Sequence, residues 1–322
     1  MAIRDIITPS FIKNVYALGV DLTLDNGDPY PDELFQHAID AAIGMMEAEL
    51  GIVIDPFKTK GERHDAHIKD REAWYPFYLD NRPLISVDKI SITLGNYPLV
   101  EMPKEWATIA SPQRGEFHLI PTSETLGSFF FRSGIPLIFG DVFSPYSYVP
   151  SYFTVEYTSG FLFESGTATI PQGQKSVDVQ LTSANLGGMR PNIVLSNIVA
   201  SGATGIAVRS TSSDGFTISC NVAPSTGDCT INWSMHTVDA TLLRAIGIIA
   251  SFIPLNIAGD LIAGAGIAQY SIGVDGLSQN IATTASATSA GYGARIIQYR
   301  KELADCITTL RAKYRVPNIF SV

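Results

Sequence analysis

The stretch that decides the fold is residues 239–281, DATLLRAIGIIASFIPLNIAGDLIAGAGIAQYSIGVDGLSQNI, the most apolar part of the chain. Asp239 is an N-cap candidate for a helix through Leu242, Leu243, Ile246, Ile249 and Phe252, and Pro254 is expected to stop it. The segment is apolar on every side, so the helix should be buried all round. The small residues Ala263, Gly264, Ala265, Gly266 and Ala268 then permit close backbone approach. Gly273 and Gly276 flank a short strand or turn. A membrane span needs roughly 20 uninterrupted apolar residues. Arg244, Pro254, Asn256 and Asp260 interrupt every such window, so the expectation is core helices, or helices buried between subunits.

The chain has 322 residues, 46% of them hydrophobic and only 16% charged. Soluble domains usually carry about a quarter charged residues. The deficit points to surface hidden against partners. The length implies two domains, or one with an insertion. The net charge is −9, from 22 basic and 31 acidic residues. That argues against a general nucleic-acid binder, which would be basic. It is compatible with a channel in which DNA slides without being gripped, because acidic walls repel phosphates. Cys220, Cys229 and Cys306 spell no CxxC, so zinc and redox motifs are absent. Cys220 and Cys229 either face each other across a hairpin or are free buried thiols in a reducing cytoplasm. MAIRDIITPS has no basic region leading into an apolar core, so no signal peptide is expected.

Residues 1–27 suggest an extended or short-helical arm ending in the turn Asp25-Asn26-Gly27. A helix is predicted from Asp32 to Leu50, with acids in its first turn and Gly51 just past its end. Phe35, Ile39, Ala42, Met46 and Leu50 form its apolar stripe. Residues 58–80 are charged and then aromatic, and a solvated loop is expected there. His64, Asp65, His67 and Asp70 are ligand-type residues, but their spacing matches no standard metal site. From Arg82 the period switches to two, predicting a strand over 83–94 and a turn at Gly95-Asn96. Short strands are expected near Thr108–Ile109, Glu116–Ile120 and Tyr152–Thr158. The aromatic, Gly/Pro-rich segment 129–150 is either a contact loop or a loop folded over its own core.

Composition changes at Ser165. In residues 165–237 Lys175, Arg190 and Arg209 balance Asp178, Asp214 and Asp228, so the net charge lies outside this block. Alternating runs at 176–181, 192–195, 206–208, 216–220 and 230–233, separated by turn residues, predict a small β-sandwich. Insertion into a surface loop is the economical account, since long insertions cost little closure entropy. After a low-complexity connector (282–293) a helix is predicted over 294–313, with Ile296, Tyr299, Leu303, Ile307, Leu310 and Tyr314 on one stripe. Its other face is basic. Arg295, Arg300, Lys301, Arg311, Lys313 and Arg315 outweigh Glu302 and Asp305. This face is either solvated or docks on an acidic partner, or on DNA at its edge. The tail is NIFSV.

No GxSxG, HExxH, P-loop or Rossmann fingerprint is present, and His37, His64, His67, His118 and His236 form no local constellation with serine or cysteine. No enzyme, metal or cofactor is expected.

The fragments RPLISVDKISI (82–92), MPKEWATI (102–109), GEFHLIP (115–121), FTVEYTSGF (153–161), IPLNIAGDLIAGAGIAQYSIGVDGLSQ (253–279) and YGARIIQYRKEL (292–303) follow the acidic-start helix 32–50. In this combination the chain resembles the head-to-tail connector (adaptor) proteins of tailed bacteriophages, over most of 30–164 and 239–315. The resemblance implies an α+β fold: a helical-bundle adaptor body (1–164 and 238–322) with a small β-sheet or hairpin region, plus the inserted all-β sandwich (165–237). It implies a homo-oligomeric ring, usually a dodecamer, in the virion neck, assembled in the host cytoplasm. Its partners would be copies of itself, the portal protein, tail-terminator or neck and collar proteins, and DNA passing through the lumen without sequence specificity; no membrane is implied. Portal contact would fall on Arg300, Arg311, Arg315, Ile319 and Phe320. Subunit packing would fall on Leu242, Ile246, Ile249, Phe252, Ile272 and Leu277. The inserted block departs from the small adaptors. GFTI (215–218) and TINWS (230–234) look weakly like phage β-sandwich modules, including H-type lectin-like ones, so host-surface or glycan binding is the alternative function.

Overall fold

The computed structural model describes residues 2–24, 26–67, 76–94, 97–120, 148–182, 189–212, 214–263, 269–274, 277–282 and 292–314. The chain divides into two compact units, Ile52–Val238 and Ala2–Gly51 with Asp239–Arg315.

The first unit opens with β1 (Phe57–His67), β2 (Pro76–Tyr78), β3 (Leu84–Leu94), β4 (Tyr97–Met102), β5 (Ala107–Ser111), β6 (Glu116–Leu119) and β7 (Tyr148–Ser159). They build two antiparallel sheets, in the orders β1-β7-β3-β4 and β2-β6-β5. Alternation sets the inner face. Phe153, Val155 and Tyr157 of β7 and Ile90 and Ile92 of β3 are buried, together with Phe77, Trp106 and Phe117. Phe77 stacks on Phe117 at 4.7 Å and meets Phe153 edge-on at 5.1 Å.

The chain continues through β8 (Phe163–Ile170), β9 (Ser176–Gln180), β10 (Asn192–Val199), β11 (Ala207–Thr211), β12 (Gly215–Ser219) and β13 (Cys229–His236). These form two three-stranded sheets, β10-β13-β8 and β11-β12-β9. Both feed one core that includes Ile170, Phe216, Ile218, Ile231, Trp233 and Met235. The alternating runs expected from sequence lie on β9 to β13. Strand β8 begins at Phe163, ahead of the composition change at Ser165. The two ends of this segment are stitched together. The Thr237 amide donates to the Leu162 carbonyl at 3.0 Å, and the Leu162 amide donates to the Thr237 hydroxyl at 2.9 Å. Cys220, Cys229 and Cys306 are free and buried.

The second unit begins with α1 (Ile3–Ile6), α2 (Pro9–Phe11) and a π turn at Ile12–Tyr16. Helix α3 (Asp32–Leu50) forms where the sequence predicts it and ends at Gly51, which adopts φ 63° and ψ 43°. That left-handed geometry suits glycine. The predicted stripe from Phe35 to Leu50 is buried throughout. Helix α4 (Ala240–Ala263) starts as expected, with Asp239 Oδ1 accepting from the Thr241 amide at 2.8 Å.

Pro254, however, does not stop α4; it lies inside the helix. A proline there leaves the Ala250 carbonyl without its usual donor and costs about 3 kcal/mol. Burial of the surrounding apolar turns outweighs that cost. Leu242, Ala245, Ile246, Ile248 and Leu255 are completely buried. By length and composition the segment Ala240–Leu261, with mean hydropathy 1.7, could cross a membrane; 67% of its window is buried within the chain, as in a core helix. The unit closes with a hairpin of β14 (Gln269–Val274) and β15 (Leu277–Ala282), and with α5 (Gly293–Tyr314), whose Ile296, Cys306, Leu310 and Tyr314 are buried.

The expected helical-bundle body with a small β region is corrected by this architecture. Among the described residues, strand makes up 39% against 34% helix. The strands described between Phe57 and Ser159 form two antiparallel sheets, where a helical bundle was expected. The expected loop over 58–80 is in part strand, β1 with β2 after it. Strand β1 is a sheet edge, where side chains reach water and a charged sequence is tolerated. Its Lys58 pairs with Asp88 at 2.9 Å rather than dangling in a loop. Asp25, Asp70, the turn at Gly95-Asn96, most of the 129–150 segment, the connector over 283–291, and Arg315, Ile319 and Phe320 lie outside the described residues.

Gly160 joins β7 to the next segment with φ 113°, and a Cβ there would lie 2.7 Å from the Asp55 carbonyl oxygen. Gly160→Ala should therefore destabilise the protein by about 3 kcal/mol. Urea unfolding checks this, and an unchanged midpoint would contradict the close approach.

Candidate functional site

The basic helix α5 was the first candidate, and most of its cations are committed within their own unit. Arg295 Nη1 donates to the Leu18 carbonyl at 3.1 Å. Arg311 Nε donates to Glu49 Oε1 at 2.6 Å, and Lys313 Nζ to Asp239 Oδ2 at 2.6 Å. Glu302 is matched by Arg244 from α4 at 2.7 Å. Of the predicted portal-contact residues, Arg311 is thus half of an internal ion pair. Arg300 is exposed and, among the described residues, makes no ion pair; Lys301 behaves likewise.

The residues assigned to subunit packing divide in the same way. Leu242 and Ile246 are fully buried and Ile249 nearly so, all within a single chain, so their burial needs no second copy. Phe252 is half-buried. Ile272 and Leu277 lie on the β14–β15 hairpin. A groove of about 340 Å³ opens between Met45, Met46, Ala48 and Glu49 of α3, Ile249 of α4, and Leu303 and Ile307 of α5.

In the first unit, a polar network joins residues far apart in sequence. Tyr157 donates its hydroxyl proton to Glu62 and accepts from the Asn81 amide at 3.0 Å. The other Glu62 oxygen accepts from the Asp80 amide at 3.1 Å and lies 2.9 Å from His64 Nε2. Burial acts to raise the Glu62 pKa, but His64, Tyr157 and the Asp80 amide together hold it below the ordinary glutamate value. Burial and the Glu62 carboxylate push the Tyr157 phenol up to about 12. The network ties β1 and the 80–81 corner onto β7.

Among the described residues, no group of three or more His, Cys, Asp or Glu side chains is arranged to hold a metal ion. In the sandwich, Phe216 and Trp233 meet edge-on at 5.2 Å and are both buried, so neither ring is presented to a sugar.

The open features of the first unit are strand edges. Tyr97, Leu99 and Val100 on β4 are exposed, as are Val194, Ile198 and Val199 on β10. Both strands stand at the end of their sheet's strand order. The expected strand positions did not include β4, because its run YPLVEM is short and carries a proline.

Compared with known proteins, the chain matches no family model and no curated protein.

Glu62 is charged in the native state, so its contribution is complete above the ordinary value of 4.5 and is lost as pH falls through its lowered native value. Glu62→Gln should cost about 2 kcal/mol at neutral pH. It should also flatten the acid limb of the stability profile, as measured by urea unfolding against pH. Asp239 is held below its ordinary value as well: burial raises it, and Lys313 and the Thr241 amide outweigh burial. Asp239→Ala removes both the cap and the ion pair and should cost about 1–2 kcal/mol by thermal unfolding.

Proposed function

We propose that the chain is a virion structural protein that assembles into a ring at the head–tail junction of a tailed phage. The ring would sit between the portal and the neck or tail-terminator proteins. The observation that carries this reading is apolar side chains left open on strands that, among the described residues, pair on one side only, Tyr97, Leu99 and Val100 on β4 and Val194, Ile198 and Val199 on β10. Exposed, uncovered edges of this kind are templates for pairing with another chain. A charged fraction of only 16% points the same way, because a chain with so few charges has less to keep its copies apart.

The sequence resemblance supplies the place in the particle. The net charge of −9 supports a lumen that passes DNA without holding it, since fixed negative charge repels phosphates. Arg300 and Lys301, exposed on α5, are the residues of the basic helix best placed to meet a portal protein.

The purified protein should run as a high-order homo-oligomer by native mass spectrometry, and labelled antibody should mark the particle neck by electron microscopy. A monomer at every concentration measured would remove the ring, and label confined to the capsid shell or the distal tail would remove the neck assignment.

A further inference from the structure

The sandwich built by β8 to β13 carries a cation that is held in place without being neutralised. Pairing between β11 and β12 skips a residue. Val208 faces Ile218 and Ser210 faces Thr217, so Arg209 is the extra residue of a bulge. A bulge re-aims a side chain. Arg209 reaches back along β12, where its Nε donates to Ser219 Oγ at 3.0 Å and its Nη2 to Asn221 Oδ1 at 2.7 Å. Asn221 is fixed in turn. Its amide donates to the Thr204 carbonyl at 2.8 Å, and its side chain occupies the space that a Cβ on Gly205 would need.

Both acceptors are neutral, and among the described residues Arg209 makes no ion pair. A guanidinium donates along two edges. The side edge, Nε with Nη2, is taken by Ser219 and Asn221; the end edge, Nη1 with Nη2, stays open on an exposed residue. That edge is the fork that grips an oxyanion through parallel hydrogen bonds. Ser219 gives Arg209 only a lone pair, so its own O–H remains to donate. Ser176 of β9 faces Ser219 directly and brings a second hydroxyl to the same side of the sheet. Lys175 precedes it, is exposed, and makes no ion pair among the described residues. The acids of the block are engaged by neutral donors instead: Asp178 by Thr217, Asp214 by Ser212, and Asp228 by the Gln172 amide. Asp178 shares the face of Ser176 two residues further on and bounds the open area on that side.

We infer that Arg209, Ser219 and Ser176, with Lys175 at the rim, form a binding site for a phosphate group. The donors come from three adjacent strands, β11, β12 and β9. They converge from more directions than the two oxygens of a planar carboxylate can answer, and they suit a tetrahedral phosphate. Arg209 is braced before any ligand arrives, so it has little side-chain freedom left to lose on binding. The site goes beyond the ring reading and does not depend on it.

The test follows the phosphorus NMR line of inorganic phosphate, and separately of poly(glycerol phosphate), as the full chain is added at fixed salt. Circular dichroism confirms that each variant is folded. The wild type should broaden at least one of the two lines saturably. Arg209→Gln should weaken that binding at least about tenfold. Arg209→Lys, which keeps the charge and loses the fork, should weaken it as well. Tighter binding of the polymer, per phosphate, would name a phosphodiester polymer as the source of the group; inorganic phosphate binding as tightly or more so would name the free anion. Two unbroadened lines, either Arg209 variant binding like the wild type, or acetate displacing phosphate at equal concentration would overturn the site.

Discussion

The register of β7 is the constraint on which the β unit depends. This strand lies between β1 and β3, and its Phe153, Val155 and Tyr157 point into the core while Thr154, Glu156 and Thr158 point outward. A slip of one residue would exchange these two sets. Tyr157 locks the choice from the side. Its hydroxyl joins the Glu62 carboxylate on β1 to the Asn81 amide, so one phenol holds a strand and a corner in step. Once β7 is fixed, the rows that cross the sheet follow.

The helical unit solves a different problem. Helix α4 is apolar nearly all round, and α3 and α5 pack against it. Its few polar groups are answered at the rim. Asp239 caps the first turn and accepts Lys313, Arg244 meets Glu302, and Ser251 returns its hydroxyl to the Ile248 carbonyl at 2.7 Å. Gly247 lets the Tyr16 ring lie where a Cβ would overlap it, and the Tyr299 hydroxyl then holds the Tyr16 carbonyl at 3.0 Å. The amino-terminal arm is thereby clamped between two helices of its own unit.

Local signals in the sequence were legible and distant ones were not. The 3.6-residue stripe of α3, its closing Gly51, the cap at Asp239 and the period of two in β3 each rest on neighbours a few residues apart, and each forms as read. Strands β1 and β4 were missed because an edge strand carries no obligatory alternation. The helical-bundle expectation for the body fails where these strands join β2, β3 and β5–β7 in two antiparallel sheets. Pro254 misled for a related reason: a local rule against proline lost to tertiary burial. The candidate site was less legible still. Glu62 and Tyr157 are 95 positions apart. The basic stripe on α5 was visible, but nothing local showed that Arg311 and Lys313 were already spoken for.

The reciprocal stitch between Leu162 and Thr237 has a consequence for how this chain can change. Everything from β8 to β13 enters and leaves through one hydrogen-bonded doorway, so the block behaves as a cassette. Recombination could exchange it for another folded module whose termini are equally close, and the strands on either side of the splice would keep their positions.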